Sequence, residues 1–141
     1  MHNAKRTSGQ GQGMVEFALV LPILLLLVIG ALDLGRAFYM KVVMENAARE
    51  GAYYMVYNPD EGKAGGFTLA KAETQIEAEE SGYTILSEDI EVVCMQGGAV
   101  DNTCPSGSTV IVTVRTELDL VIDVFFEDQP ELVSDARMLI P

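Results

Sequence analysis

Few side chains in this sequence could carry out chemistry, and the cysteines stand out first. Cys94 and Cys104 enclose nine residues, and an oxidised pair would close a short loop worth about 2 to 3 kcal/mol. Two free thiols are the alternative. A metal site needs more ligands than two cysteines supply, and the single histidine, His2, lies at the other end of the chain. The pattern therefore predicts a disulfide and no metal site, provided that the cysteines lie in an oxidising compartment.

A carboxylate in an unusual place is the second feature. Glu16 stands directly before sixteen uncharged residues, Phe17 to Leu32. A charge at the edge of a membrane segment is costly if it enters the hydrocarbon. Either Glu16 sits among the lipid headgroups, neutralised by Lys5 or Arg6, or another charge compensates for it, and the residues alone leave both interpretations open.

Catalytic patterns are missing from the sequence. It has no G-x-S-x-G motif and no phosphate-binding loop, since the glycines of "GQGQG" precede an apolar helix rather than follow a strand. Five acids near the C-terminus could hold calcium, but their spacing matches no EF-hand, and a solvated strand face explains them better. They are Asp119, Asp123, Glu127, Asp128 and Glu131. We expect no catalytic residue, cofactor or small-molecule substrate.

The element that carries Glu16 is a long apolar helix. Met14 to Leu34 supplies twenty-one positions, and about twenty residues cross a bilayer. A buried core helix and a cleaved signal peptide are the alternatives, but the run from Phe17 to Leu32 is longer than the roughly 7 to 15 apolar residues of a signal peptide. Lys5 and Arg6 predict a cytoplasmic N-terminus and an extracytoplasmic remainder, where the cysteines can be oxidised. Pro22 predicts a bend or a locally open backbone within this helix.

Beyond the membrane segment the helical pattern continues to about Tyr57. Small and apolar residues recur at steps of three and four, while polar residues occupy the opposite face, where Glu45 and Arg49 are spaced to pair. The apolar positions are Ala37, Met40, Met44, Ala47, Ala48, Gly51 and Met55. This face could pack against the protein's own head or against a helix of another subunit. The glycine-rich segment 58–68 reads as a loop.

The rest of the chain predicts a small head of mixed structure. Thr68 is the expected N-cap of a short helix that turns Leu69, Ala72 and Ile76 inward and that Gly82 ends. Alternating patterns then predict strands in 89–96 and 108–124, with a third in 131–140. The fold class is α+β, a long transmembrane and amphipathic helix with a short helix and a small antiparallel sheet in a single head.

The excess of acidic residues limits the kinds of partner that this head can bind. The formal net charge is −12, and residues 60–141 carry seventeen acids and four bases. Such a surface repels phosphate backbones, which excludes nucleic acid as a partner. Membrane lipid remains the partner that the helix itself predicts.

The stem resembles a known family. "GQ", "VEFALVLP", the leucine-rich span, "DLGR" and "NAAREGA" fall in the order seen in TadE-like domains, over about residues 9 to 57. This family comprises pilin-like proteins of the tight-adherence (Tad, or Flp-type) secretion system and is related to type IVb pilins. The resemblance implies a bacterial inner-membrane protein that spans the membrane once and assembles with other pilin-like subunits.

The resemblance also implies processing by a prepilin peptidase. That enzyme cuts after a glycine that is followed by four residues, then Glu and an aromatic residue, and Gly11 followed by Glu16 and Phe17 fits. Cleavage before Gln12 would create an amine that meets the Glu16 carboxylate of a neighbouring subunit. Phe17 stands where major pilins usually have Tyr, which indicates a minor pilin or pseudopilin.

These interpretations divide the chain into four parts. We expect a cytoplasmic leader at 1–11, a stem at 12–57 (transmembrane about 14–34, amphipathic 35–57), a loop at 58–68 and an extracytoplasmic head at 69–141. The alternative function is an unprocessed, single-pass envelope or adhesion protein that uses the same stem to present its acidic head.

Overall fold

The structure is a computed structural model that describes residues 8–64, 66–118, 120–121 and 130–141. Helix α1 spans Ser8–Tyr57, α2 spans Asp60–Ala64, α3 spans Thr68–Glu80, and a 3-10 turn follows at Ser87–Asp89. The strands are β1 Ile90–Gln96, β2 Ala99–Val100, β3 Thr109–Glu117 and β4 Glu131–Leu139. The predicted α+β class, a long apolar helix with a short helix and a small antiparallel sheet, is confirmed.

The sheet is antiparallel with strand order β2-β1-β3-β4. Its register pairs Ile90 with Val114 and Val110 with Met138, so that the apolar residues of neighbouring strands fall on one face. On β3, Val110, Val112 and Val114 are buried, which confirms the period of two read from the sequence. The two-residue strand β2 was not predicted.

The second half of α1 covers the buried face of this sheet. Met44, Ala47, Ala48 and Met55 are buried there, and α3 lies beside them. The amphipathic pattern is thus confirmed, and its apolar face packs against the protein's own head. Glu45 and Arg49 form the expected ion pair at 2.7 Å, and α1 continues through Pro22 as one helix.

The inward face of α3 differs from the prediction. Its buried residues are Ala70, Thr74 and Ala78, whereas Leu69 and Ile76 are exposed. Small side chains face α1 because they let the two helix backbones approach closely, which a leucine and an isoleucine would prevent. The prediction from hydrophobicity was wrong because the contact between α1 and α3 requires small side chains.

The start of α3 also differs. Thr68 is the first helical residue and not the N-cap, because Phe67 occupies that position with φ 49° and makes no side-chain cap. Glu61 of α2 accepts the backbone N–H groups of Leu69 and Ala70 instead. The segment read as a loop therefore contains a short helix whose carboxylate caps the next one. Gly82, at φ 85°, follows the end of α3 as predicted.

Candidate functional site

The first half of α1 is an apolar surface that the head leaves uncovered. Its large hydrophobic side chains, such as Phe17, Leu24 and Leu32, are exposed. Within the described residues α1 alone is long and apolar enough to span a membrane, and none of its most hydrophobic stretch is buried. A core helix of a soluble protein would bury this surface, so that alternative fails on burial.

The residues predicted for processing lie at the free end of this surface. Gly11, Gln12, Glu16 and Phe17 are exposed and helical, and the Gln12 side-chain amide donates to a Glu16 oxygen at 3.2 Å. Gly11 and Gly13 have open space where a side chain would project. The proposed leader residues Lys5 and Arg6, with His2, lie outside the described residues.

A junction between stem and head lies where the uncovered surface ends. Asp33 is only 3% exposed, and its Oδ1 accepts the backbone N–H of Val121 at 3.1 Å. Val121 follows β3, so that the chain leaving the sheet returns to α1 at this point. No local feature of the sequence indicates this contact, which joins residues 88 positions apart.

Two turns further along α1, a lysine ties the helix to β4. Lys41 Nζ donates to the backbone oxygen of Val133 at 2.6 Å and to Ser134 Oγ at 3.1 Å. Both acceptors belong to the first residues of β4. The carboxylate of Asp33 and the ammonium of Lys41 thus hold the same end of the sheet onto the helix.

Close packing fixes the far half of the stem. Gly51 faces Thr74 of α3, whose hydroxyl donates to the Ala70 carbonyl oxygen at 2.9 Å. Thr74 is fully buried, and this bond satisfies its hydroxyl within its own helix. The α1–α3 contact can therefore be both polar and dry.

The disulfide lies at the far end of the head. Cys94 and Cys104 are joined, with their Cα atoms 5.3 Å apart, and both residues are buried. Gly62 of α2 packs on this bridge, where a Cβ would come within 2.7 Å of Cys104 Sγ. The disulfide thereby supports the α1–α3 connection as well as its own loop.

The loop closed by the disulfide carries a local polar turn. Asp101 accepts hydrogen bonds from the hydroxyl and backbone N–H of Thr103, at 2.6 and 3.1 Å. These two bonds stabilise the charged carboxylate and lower the pKa of Asp101 below its ordinary value. The turn is exposed, so it shapes the loop without forming a pocket.

The surface of the head shows no constellation for catalysis or metal binding within the described residues. A depression of about 580 Å³ is lined by Asp89, Arg115, Glu117 and Glu131 among others, and Arg115 pairs with Glu91 at 3.2 Å. No cluster of three or more His, Cys, Asp or Glu there could hold a metal ion. Of the five acids considered for calcium, only Glu131 is described, since Asp119, Asp123, Glu127 and Asp128 lie outside those residues.

One family of known proteins matches the stem. Residues 11–52 match the family model described as TadE-like protein, which confirms the resemblance seen in the sequence. No curated protein and no solved structure shows a significant match. The matched residues begin in the uncovered half of α1 and end among the residues packed on the head. The match covers 42 of the 141 residues and therefore characterises the stem and not the head.

Proposed function

We propose that the protein is a minor pilin-like structural component of a Tad-type pilus apparatus, anchored by its stem and without enzymatic activity. The observation that carries this proposal is the division of one continuous helix, α1, into an uncovered apolar half and a half packed on the head. The TadE-like match spans both halves. A helix of this form holds a folded head outside a membrane and leaves an apolar shaft for subunit packing.

The proposal includes removal of a leader before Gln12. The supporting features are exposure of the segment from Gly11 to Phe17 and its freedom from contact with the head. The alternating glycines weaken helix formation around the scissile bond, which helps a peptidase to unwind that turn. The peptidase acts on the cytoplasmic face of the inner membrane in this scheme, and the head lies outside.

Glu16 would then become the fifth residue of the mature chain. Among the described residues, the neutral side-chain amide of Gln12 donates a hydrogen bond to this carboxylate at 3.2 Å. The new amine of a neighbouring Gln12 would neutralise this charge as the stem leaves the lipid. Assembly with other pilin-like subunits would therefore depend on cleavage, because cleavage creates the compensating charge.

Mass spectrometry of protein from its native host tests the processing step. The mature chain should begin at Gln12 in cells that contain the prepilin peptidase and should keep the leader in cells that lack it. Gly11→Ala should block cleavage, whereas Gly13→Ala, a matched change two residues away, should leave the Gln12 terminus intact. A different terminus, or the same mass in both strains, would count against incorporation as a pilin.

Assembly is tested separately with Glu16→Ala. The variant should insert into the membrane yet be lost from sheared pilus fractions, because its stem cannot pair with the neighbouring amine. Glu50→Ala removes an exposed carboxylate from the same helix and should assemble normally. If Glu16→Ala retains both localisation and partner binding, the protein is instead an unprocessed envelope or binding protein that presents its acidic head.

A further inference from the structure

The contact between Asp33 and Val121 fixes one end of the head at a definite height on the stem. The uncovered run from Met14 to Leu32 has nineteen residues and is about 28 Å long, close to the 30 Å thickness of a hydrocarbon core. When this run spans the hydrocarbon, Asp33 lies within a turn of its outer boundary. Val121, hydrogen-bonded to Asp33, lies at the same height.

The side chains at this end of the head suit a lipid surface. Leu118 and Leu120 are half-buried, and the Val121 side chain is 56% exposed. Tyr39, six residues or about 9 Å beyond Asp33, stacks at a tilt on Tyr83 with ring centroids 5.9 Å apart. Tyrosines with an apolar ring and a polar tip are typical of the headgroup region. We call these five residues, Tyr39, Tyr83, Leu118, Leu120 and Val121, the proximal rim.

Asp33 gives a physical reason for the head to stay at this height. A carboxylate at the end of a membrane span is costly when it faces lipid. Here Asp33 is buried, and Val121 of the proximal rim supplies it with a backbone N–H donor. Lifting the rim away from the stem would return the carboxylate to the interface with one hydrogen bond fewer.

We propose that the proximal rim rests on the outer surface of the same bilayer that the stem spans, at a depth set by Asp33. The occupant is a lipid surface because Asp33, at the end of the uncovered apolar run of α1, holds Val121 at the height where that run leaves the hydrocarbon. We expect this lipid to be neutral. The five rim side chains carry no charge, and the nearby acids Glu117 and Glu131 would be repelled by an anionic surface. The inference rests on the proposed membrane anchor.

The sequence contains no tryptophan, so a single introduced tryptophan reports its own depth. Three variants of the full chain would be reconstituted in phosphatidylcholine vesicles with brominated acyl chains, which quench nearby indoles. Val121→Trp probes the rim, and Leu24→Trp probes the middle of the span. Val100→Trp is the matched control: Val100 is likewise exposed, at 62%, and lies at the opposite end of the sheet, roughly 27 Å away along β3.

We expect Leu24→Trp to be quenched most by bromines deep in the chains and Val121→Trp most by bromines near the headgroups. Val121→Trp should lose at least about half of its intensity, while Val100→Trp should lose none, because within the head only the rim meets lipid. An unquenched Val121→Trp beside a quenched Leu24→Trp would overturn the rim inference and leave the anchor intact. Equal quenching of Val121→Trp and Val100→Trp would also overturn it.

An unquenched Leu24→Trp would overturn the membrane anchor itself, and with it the proposed function. The Val121 substitution leaves its hydrogen bond to Asp33 in place, because that bond uses the backbone. Adding Asp33→Ala to Val121→Trp should release the rim and reduce the quenching. Unchanged quenching in this double variant would refute the role of Asp33 in setting the depth.

Discussion

Gly51 of α1 and Thr74 of α3 approach so closely that a Cβ on Gly51 would overlap the Thr74 hydroxyl and lie 3.1 Å from the Ala70 carbonyl oxygen. Glycine is thus a packing requirement at the crossing of the two helices, not a source of flexibility. The head is joined to the stem mainly through this crossing and through the sheet beneath α1. Changes at Gly51 should therefore affect how firmly the head is held.

Gly51→Ala should destabilise the head by about 1 to 3 kcal/mol, because the added methyl group overpacks a dry contact. Gly35→Ala is the matched control on the same helix, since nothing lies within 4 Å of its new Cβ. That change should be neutral or stabilise by up to about 1 kcal/mol through helix propensity. Urea unfolding in detergent measures both, and equal effects would refute the packing argument.

A second substitution distinguishes the clash with the Thr74 side chain from the clash with the backbone oxygen of Ala70. Thr74→Ala removes the hydroxyl that the Gly51 methyl group would meet. The double variant should therefore be less destabilised than the sum of the two single variants. Additive effects would place the strain at the Ala70 carbonyl oxygen instead.

Removing the Asp33 carboxylate should loosen the chain that follows β3. Asp33→Ala leaves the Val121 N–H without this acceptor, at a cost of about 1 to 3 kcal/mol. Asp33→Asn keeps an Oδ1 acceptor and should retain most of the contact. Hydrogen exchange at the Val121 amide measures the effect directly, and equal protection in all three proteins would contradict it.

Loss of the disulfide should weaken the far end of the head. Cys94→Ala with Cys104→Ala should cost about 2 to 3 kcal/mol, because the unfolded chain regains the freedom of a ten-residue separation. The loosening should extend to α2, since Gly62 packs on the bridge. Thermal unfolding measures this loss of stability. If the mass of envelope-derived protein, measured without reducing agent, shows two free thiols, the disulfide is absent and the prediction fails.

The hydrogen bonds to Asp101 predict a small decrease in folding stability at acidic pH. Its pKa is lowered in the folded state, so its contribution to stability is complete above the unfolded pKa and is lost as pH falls through the folded value. Thr103→Val removes the hydroxyl donor and should raise the pKa of Asp101 toward its ordinary value. NMR titration checks this, with Thr113→Val on β3 as a control that should leave the pKa unchanged.

Sequence patterns predicted the elements that are regular over many residues. The stem, the three longer strands and the side of α1 that faces the head all follow from periods of 3.6 and 2 that persist for at least six residues. Cys94 and Cys104 could be paired because each had only the other as a partner. None of these predictions required knowledge of distant neighbours.

What the sequence missed depends on contacts between distant segments. The cap of α3 comes from Glu61, which precedes it on another helix, so Thr68 at the local position was the wrong choice. The face of α3 was misjudged because Gly51 selects small partners. Asp33 gives no local sign that Val121 will bind it, since the intervening head must fold first.

The direction of α1 over the sheet has a consequence for how copies of the protein meet. Among the described strands β4 is at an edge, and it runs the same way as α1, because Lys41 contacts its first residues and α1 ends near the disulfide at the far end. Two such edges joined antiparallel would point their stems in opposite directions. Copies anchored in one membrane cannot adopt that arrangement, so the anchor excludes antiparallel pairing of two β4 edges.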